Sequence, residues 1–356
     1  METGSASDVH LEPSIGFAIV GAGMIAEYHA GAIAETPGAR LVALCRADAV
    51  RAAETETRFG APCEPTYAAL LARRDVEAVC ICTPSGLHAE QTVAAALAGK
   101  HVLVEKPMAL TLTEADTMIE ICREKQVLLG VALQRRTDPS FVAAQAAIAE
   151  GALGQLVLGG VTVPYLRTQD YYRSAAWRGT WRLDGGGALM NQGIHLLDLL
   201  LWYMGDAAEV QAQMTTLAHP IEVEDCVTAT VRFTNGALGS VAATTAAAPG
   251  YPHRVEVYGD QGGLLIAGEQ IARWESTSMS HIPRVTATTA SEVELGAGSS
   301  PRGISGEGHR RLIADFVYAL REKRPPIVPG TEGRRSLALA VAIYEAARTG
   351  HSVMLT

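Results

Sequence analysis

The sequence predicts an α/β protein in two parts: an N-terminal doubly wound parallel sheet, then an α+β domain with a large open, mostly antiparallel sheet. Three observations carry this: a glycine-rich turn between an apolar strand and a helical pattern near the N-terminus, an alternation of strands and helices up to residue 134, and a run of strands joined by short turns beyond it. At 356 residues the chain exceeds one typical domain and suits two, each able to bury its own core. The expected division is a loose tail over 1–14, the parallel-sheet domain over 15–134 and the second domain over 135–356.

Residues 15–20 form an apolar run that feeds Gly21-Ala22-Gly23-Met24-Ile25-Ala26 and then a helical pattern. That is the strand, turn and helix a dinucleotide-binding loop requires. Gly21 permits the tight turn, Gly23 lets backbone N–H groups approach a pyrophosphate at the positive end of the helix, and Ala26 takes the third small position. The same turn also occurs without a ligand. Residues 41–45 read as the second strand, and Arg46 follows it, roughly 20 residues beyond Ala26, where the adenosine ribose is read. Arg46 can pair with a 2'-phosphate, which favours NADP over NAD, or it points into solvent. Asp48 can still serve a ribose.

Strands at 79–82, 102–104 and 127–131 alternate with helical stretches such as 88–98, so the sheet is parallel with crossover helices. Thr83-Pro84-Ser85-Gly86 begins where the strand at 79–82, the third apolar strand of the chain, ends, on the edge where open parallel sheets bind ligands. It suits close approach to a cofactor, and equally a plain structural turn. Glu105-Lys106-Pro107 occupies the same edge at the next strand. The Lys106 ammonium can hydrogen-bond a substrate oxygen and, with its proton affinity lowered, share in acid–base work. Pro107 confines Lys106 to extended backbone. Alone, such a lysine is more often a solvated charge.

Beyond residue 134 a helical stretch at 139–150 leads to strands at 155–163, 210–216, 223–234, 237–245, 254–258 and 264–267. Asn235-Gly236 and Asp260-Gln261-Gly262 favour hairpins. Residues 276–301, rich in Ser, Thr and Gly, read as an irregular excursion at the sheet edge. Within this half Gly185, Gly186 and Gly187 open a helix on which Asn191, His195 and Asp198 stand at i, i+4 and i+7, a polar stripe facing water or a pocket. His195 suits proton abstraction from an alcohol, or is a structural histidine bonded to a carboxylate. Trp177 and Arg178 precede that helix on a loop facing the cleft. Tyr165, Arg167, Tyr171 and Arg173 form a polar aromatic cluster that can stack on a sugar, pair with an anion, or meet a neighbouring subunit.

Composition sets the bounds. Hydrophobic content of 48% with 19% charged residues describes a well-packed soluble chain, and a formal charge of -9 argues against nucleic acid or an anionic membrane as partner. No run approaches the roughly 18 apolar residues of a membrane helix. Residues 1–14 lack a basic start and an apolar stretch, so a cytoplasmic location is expected. The six cysteines sit largely among apolar neighbours, and Cys80 and Cys82 share one face of a strand. They read as buried free thiols, and no metal is expected.

In this order, and with Gly330-Thr331-Glu332-Gly333-Arg334 before a last helix, the motifs resemble the glucose-fructose oxidoreductase, inositol dehydrogenase and rhizopine catabolism protein (Gfo/Idh/MocA) family over residues 15–355. The resemblance implies a Rossmann domain and an open antiparallel sheet domain, assembled into homodimers or homotetramers through that sheet. It implies Lys106 and His195 as the catalytic pair and Glu105 on the nicotinamide ribose. The expected cofactor contacts are Gly21, Gly23, Met24, Ile25 and Arg46 in the first half of the Rossmann domain, then Thr83, Pro84, His88, Glu105 and Lys106, and finally Arg136, Trp177 and Arg178. Substrate contacts are expected from Asn191, Lys106, His195, Tyr165, Arg167 and Arg178. Inositol dehydrogenase-like members carry Asp where this chain has Asn191, so the acid–base burden falls on Lys106 and His195. The function this implies is reversible oxidation of a secondary ring hydroxyl of a sugar, glycoside or cyclitol with NADP, or NAD. The alternatives are a nucleotide-sugar or dihydrodiol-type dehydrogenase, and a non-catalytic dinucleotide sensor.

Overall fold

The computed structural model describes residues 13–46, 48–277, 296–300 and 305–355. The expected tail and the excursion over 276–301 therefore lie largely outside the described residues. The first strand, β1 (Ile15–Val20), is buried at every position, as a central parallel strand covered on both faces must be. It leads into α1 (Met24–Glu35), β2 (Ala39–Cys45), α2 (Ala52–Phe59), β3 (Cys63–Glu64), α3 (Tyr67–Ala72), β4 (Ala78–Ile81), α4 (His88–Leu97), β5 (His101–Val104), α5 (Leu112–Glu124) and β6 (Leu129–Val131). The start of α5 is fixed by a capping box, Thr111 with Glu114. The six strands run parallel in the order β3-β2-β1-β4-β5-β6. Strand order reverses between β1 and β4, which opens a crevice at their carboxyl ends.

The second half begins with α6 (Pro139–Ala149), capped by Asp138, then β7 (Leu156–Pro164), α7 (Gln169–Arg173) and α8 (Ile194–Met204). Next come β8 (Ala207–Thr215), β9 (Cys226–Phe233), β10 (Leu238–Thr244), β11 (Arg254–Gly259), β12 (Gly262–Ala267) and β13 (Gln270–Ser276). A short turn α9 (Gly296–Ser299) precedes α10 (Glu307–Glu322), α11 (Gly330–Thr349) and β14 (Val353–Met354). The eight strands take the order β13-β12-β11-β7-β10-β9-β8-β14, antiparallel except for β7 with β10. Alternating burial along β9 shows one face packed and one open. The packed face meets α8 and α11.

A single cut between residues 134 and 135 does not describe the packing. Helix α10 returns to lie against α1 and delivers Ile313, Phe316 and Val317 to the same apolar cluster as Phe17, Ile19 and Ile33. The reason is a helix with one strongly apolar side whose partner surface is the outer layer of the first sheet. The helix expected to open at Gly185 is also corrected: Ala188–Gly193 forms a wide π-helical turn, and regular α-helix starts only at Ile194.

A candidate active site between the two sheets

A cavity of about 910 Å³ runs from the crevice of the parallel sheet to the start of α8. Its first half is built from strand-end loops. Gly21 adopts φ +91°, and a β-carbon there would stand 2.7 Å from the Cys82 carbonyl oxygen. Only glycine allows that turn to nest against the end of β4. At Gly23 a β-carbon would meet no atom within 4 Å, and no side chain caps α1. The unpaired N–H groups at the positive end of a 12-residue helix thus face open space. A dinucleotide fits this wall: Gly21, Gly23, Met24 and Ile25 would hold the pyrophosphate, with Arg46, Asp48 and Arg51 lining the far end. Arg46 reaches Thr55 Oγ1 at 2.9 Å and still lines the cavity.

Thr83, Pro84 and His88 line the same wall. The His88 ring is buried with Nδ1 2.8 Å from the Pro107 carbonyl and Nε2 2.9 Å from that of Thr83. Burial holds His88 below its ordinary pKa, so one tautomer donates to one carbonyl at a time, tying the β4 loop to the β5 loop. Glu105 lines the cavity, yet Oε1 accepts from His29 Nε2 at 2.9 Å and Oε2 from the Lys106 amide at 3.2 Å. Although burial opposes ionisation, the hydrogen bond from His29 and the His309 ring 3.6 Å away hold the carboxyl well below the usual range. His29, Glu105 and His309 offer ligating atoms within 4.8 Å of one another, a cluster that sequence spacing did not reveal. With His29 already bonded to Glu105 and Tyr28 packed on the His309 ring, it reads as a hydrogen-bonded support behind Lys106.

The second half brings the other domain to Lys106. Its Nζ donates to the backbone carbonyl of Asn191 at 2.8 Å, and His195 lines the same cavity one turn further along. Burial lowers the pKa of Lys106, while the carboxylates of Glu105 and Asp184 oppose that. Burial also takes His195 well below its ordinary value, reinforced by the positive charges of Lys106 and Arg135. At neutral pH the imidazole is therefore an uncharged base beside an ammonium. Asn191 Nδ2 donates to Asp184 Oδ1 at 2.6 Å, which leaves its Oδ1 and the second Nδ2 hydrogen to offer a hydroxyl. Asp184 is buried, accepts from Gly179 N at 2.9 Å, and was missed in the sequence because nothing there links it to Asn191.

Tyr165, Arg167, Tyr171, Trp177 and Arg178 all line the cavity. Arg178 stacks over Trp177 and Tyr171, and Arg167 lies over Tyr165 and Tyr171. Arg173, by contrast, stands exposed beside Asp170. Two expectations are overturned. Arg136 does not reach the cavity: it is buried, with both carboxylate oxygens of Asp198 at 2.7 and 2.8 Å and Glu332 at 2.7 Å. Its neighbour Arg135 lines the cavity instead. Asp198 is no part of a ligand-facing stripe, because the wide turn at 188–193 shifts the register and its carboxylate also takes Ser336 Oγ at 2.7 Å. Glu332, in the closing motif, thereby bolts the last helix to the domain junction.

A glycine-turned helix start at the switch point of a parallel sheet, faced by a lysine and a neutral histidine, defines a nicotinamide-dinucleotide oxidoreductase. The comparisons agree. Residues 15–133 match the oxidoreductase family with NAD-binding Rossmann fold, and residues 141–265 match the GFO/IDH/MocA C-terminal domain. The chain belongs to the GFO/IDH/MocA family, whose relatives mark it as a dehydrogenase or reductase acting on CH–OH groups. It is 32% identical to a 1,5-anhydro-D-fructose reductase of Ensifer adhaerens, over 94% of this chain and 96% of that protein. It is 27% identical to a myo-inositol 2-dehydrogenase of Thermotoga maritima, over 95% and 97%. The WlbA dehydrogenase of Chromobacterium violaceum, solved with NADH and UDP-GlcNAcA, superposes with TM-score 0.86 at 34% identity, covering 97% of each chain. Among the described residues no helix is long and apolar enough to cross a membrane.

Proposed function

We propose that this protein reversibly oxidises a secondary ring hydroxyl of a sugar, glycoside or cyclitol. A nicotinamide dinucleotide bound along the glycine-turn wall supplies the hydride acceptor. Neutral His195 takes the hydroxyl proton, the Lys106 ammonium stabilises the developing oxyanion, and Asn191 Oδ1 orients the ring. The observation that carries this reading is the Lys106 Nζ to Asn191 carbonyl bond of 2.8 Å, which brings the two halves together in a cavity that His195 also lines. The test is nicotinamide absorbance with the pure protein, either coenzyme and a panel of sugars and cyclitols. Wild-type turnover by Lys106→Ala would end the assignment, and silence across the panel would favour a non-catalytic sensor.

Arg135, Arg167 and Arg178 in the cavity support a second reading, a sugar bearing a carboxylate or phosphate, as does the UDP-GlcNAcA in the WlbA structure. Arg46 and Arg51 support NADP as the preferred coenzyme, although the WlbA structure holds NADH. Arg46→Ala then lowers kcat/KM for NADP at least about tenfold relative to NAD, the worth of a charge-assisted hydrogen bond. On the open sheet face Leu158 lies in register with Leu238 and Tyr258, all exposed, which supports assembly of copies through that face. Light scattering reads the state directly.

A further inference from the structure

Two of the three consecutive glycines before the catalytic turn, Gly186 and Gly187, are explained by what lies under them. A β-carbon on Gly186 would stand 2.1 Å from the Tyr344 hydroxyl, and one on Gly187 1.8 Å from the Glu224 carbonyl oxygen. Gly186 makes room for the Tyr344 side chain and Gly187 for the Glu224 backbone, so two distant elements reach the underside of the turn. Glu224, from the segment leading into β9, is 2% exposed. Its Oε2 accepts from Gly187 N at 2.8 Å and its Oε1 from Leu189 N at 2.8 Å. The Tyr344 hydroxyl on α11 also donates to Oε1 at 2.9 Å, while accepting from Met190 N at 3.2 Å. Three donors converge on one carboxylate, and the turn they fix carries Asn191, whose carbonyl receives Lys106.

We propose that Glu224, acting with Tyr344, is a positioning residue for the catalytic lysine: its ionised carboxylate holds the 187–191 turn in the shape that presents the Asn191 carbonyl to Lys106, and protonating it releases that shape. This rests on the assignment of Lys106 to catalysis. A neutral Glu224 brings a hydroxyl donor into a site that already supplies three donors, so its proton stays buried without an acceptor unless a bond breaks or the Tyr344 hydroxyl reverses and loses its own acceptor. Burial supplies the opposing force and pushes the carboxyl up to about 7. The two tendencies leave the switch poised in the neutral range.

No charged group offsets this from the elements packed around Glu224 among the described residues. Tyr344 is the titratable side chain that reaches it. Asp225 turns away to the amides of Leu217 and Ala218 and to His219, and Glu222 accepts from the Trp181 amide. Arg348 lies over the rings of Trp181 and Tyr344. Around Lys106 stand Glu105, Asp184, Arg167, Arg178 and His195, all present unchanged when Glu224 alone is replaced.

The chain has only four lysines, Lys100, Lys106, Lys125 and Lys323, so the test needs no substrate. The full-length protein is reductively dimethylated with ¹³C-formaldehyde and a borane reductant, the Lys106 methyl resonance is assigned by its loss in Lys106→Arg, and its shift is followed against pH. The expected wild-type curve carries an inflection at about 7 besides the lysine's own. Glu224→Gln removes that inflection, and Tyr344→Phe, which keeps the carboxylate but deletes one donor, displaces it upward. A wild-type curve without the inflection, or one unchanged in Glu224→Gln, overturns the proposal, as does a variant whose melting temperature falls while the Lys106 titration stays put. If Glu224→Gln does not fold, an unmoved inflection in Tyr344→Phe overturns it equally. Because no sugar enters the readout, a failure to find dehydrogenase activity and a failure of this coupling remain separate results.

Discussion

The dinucleotide wall of the cleft is made of neighbours in sequence, whereas the wall facing it is held largely by side chains from other elements, 35 to 154 positions away. Gly21 to Ile25 take their shape from local backbone requirements and the end of one adjacent strand. The 187–191 turn takes its shape from Glu224 and Tyr344, and the amide of Asn191 takes its direction from Asp184. The first wall presents open N–H groups to a ligand; the second presents groups already committed to buried partners. A replacement on the first should therefore weaken binding and spare the fold, and one on the second should disturb both.

The largest expected contrast comes from one methyl group on each wall. Gly187→Ala forces a β-carbon into the Glu224 carbonyl and costs about 1–3 kcal/mol or more of stability by overpacking, seen as a lower melting temperature and loss of turnover. Gly23→Ala meets nothing in the protein, so its melting temperature stays at the wild-type value while dinucleotide affinity, read by quenching of tryptophan fluorescence, falls. Equal destabilisation by the two would erase the distinction between the walls.

A smaller effect is expected from pH. Lys106 sits below its ordinary value because it is buried, so its ammonium is lost, and kcat/KM falls, at a pH lower than an exposed lysine would give. His195 sits well below 6.5 and stays a neutral base through the mildly acid range. An acid limb at about 7 then belongs to Glu224 and disappears in Glu224→Gln, whereas a limb at about 7 that survives the replacement contradicts that assignment. Smallest of all, Arg173→Ala should alter kcat/KM less than about twofold, since its exposed pairing with Asp170 is worth little.

The same contrast explains what was legible in the chain. The strand, glycine turn and helix, the loops at Thr83 and Lys106, and the alternation of elements are short-range patterns, and the parallel sheet follows them closely. Lys106, Asn191 and His195 stand out by residue type beside glycines, and the cavity unites them. Arg136 misled because adjacent arginines at the end of β6 look alike until packing sends one to Asp198 and the other to the cleft. Asp198 misled because a helical count of seven assumes no π turn in between. Glu224 and Tyr344 carry no local signature, because their roles arise only when α11 and the segment leading into β9 pack beneath the turn; Asp184, seven residues before Asn191, carries none either.

The central claim is that Lys106 and His195 act on one hydroxyl. A double-mutant cycle in kcat/KM with Lys106→Ala, His195→Ala and the pair, on the first ring alcohol found to be oxidised, tests it most directly. Groups serving one proton transfer and one oxyanion act as a unit, so each single replacement should cost about 10²–10⁴-fold and the pair little more than the worse single. Losses that multiply across the pair, or a single replacement that leaves the rate intact, would contradict it.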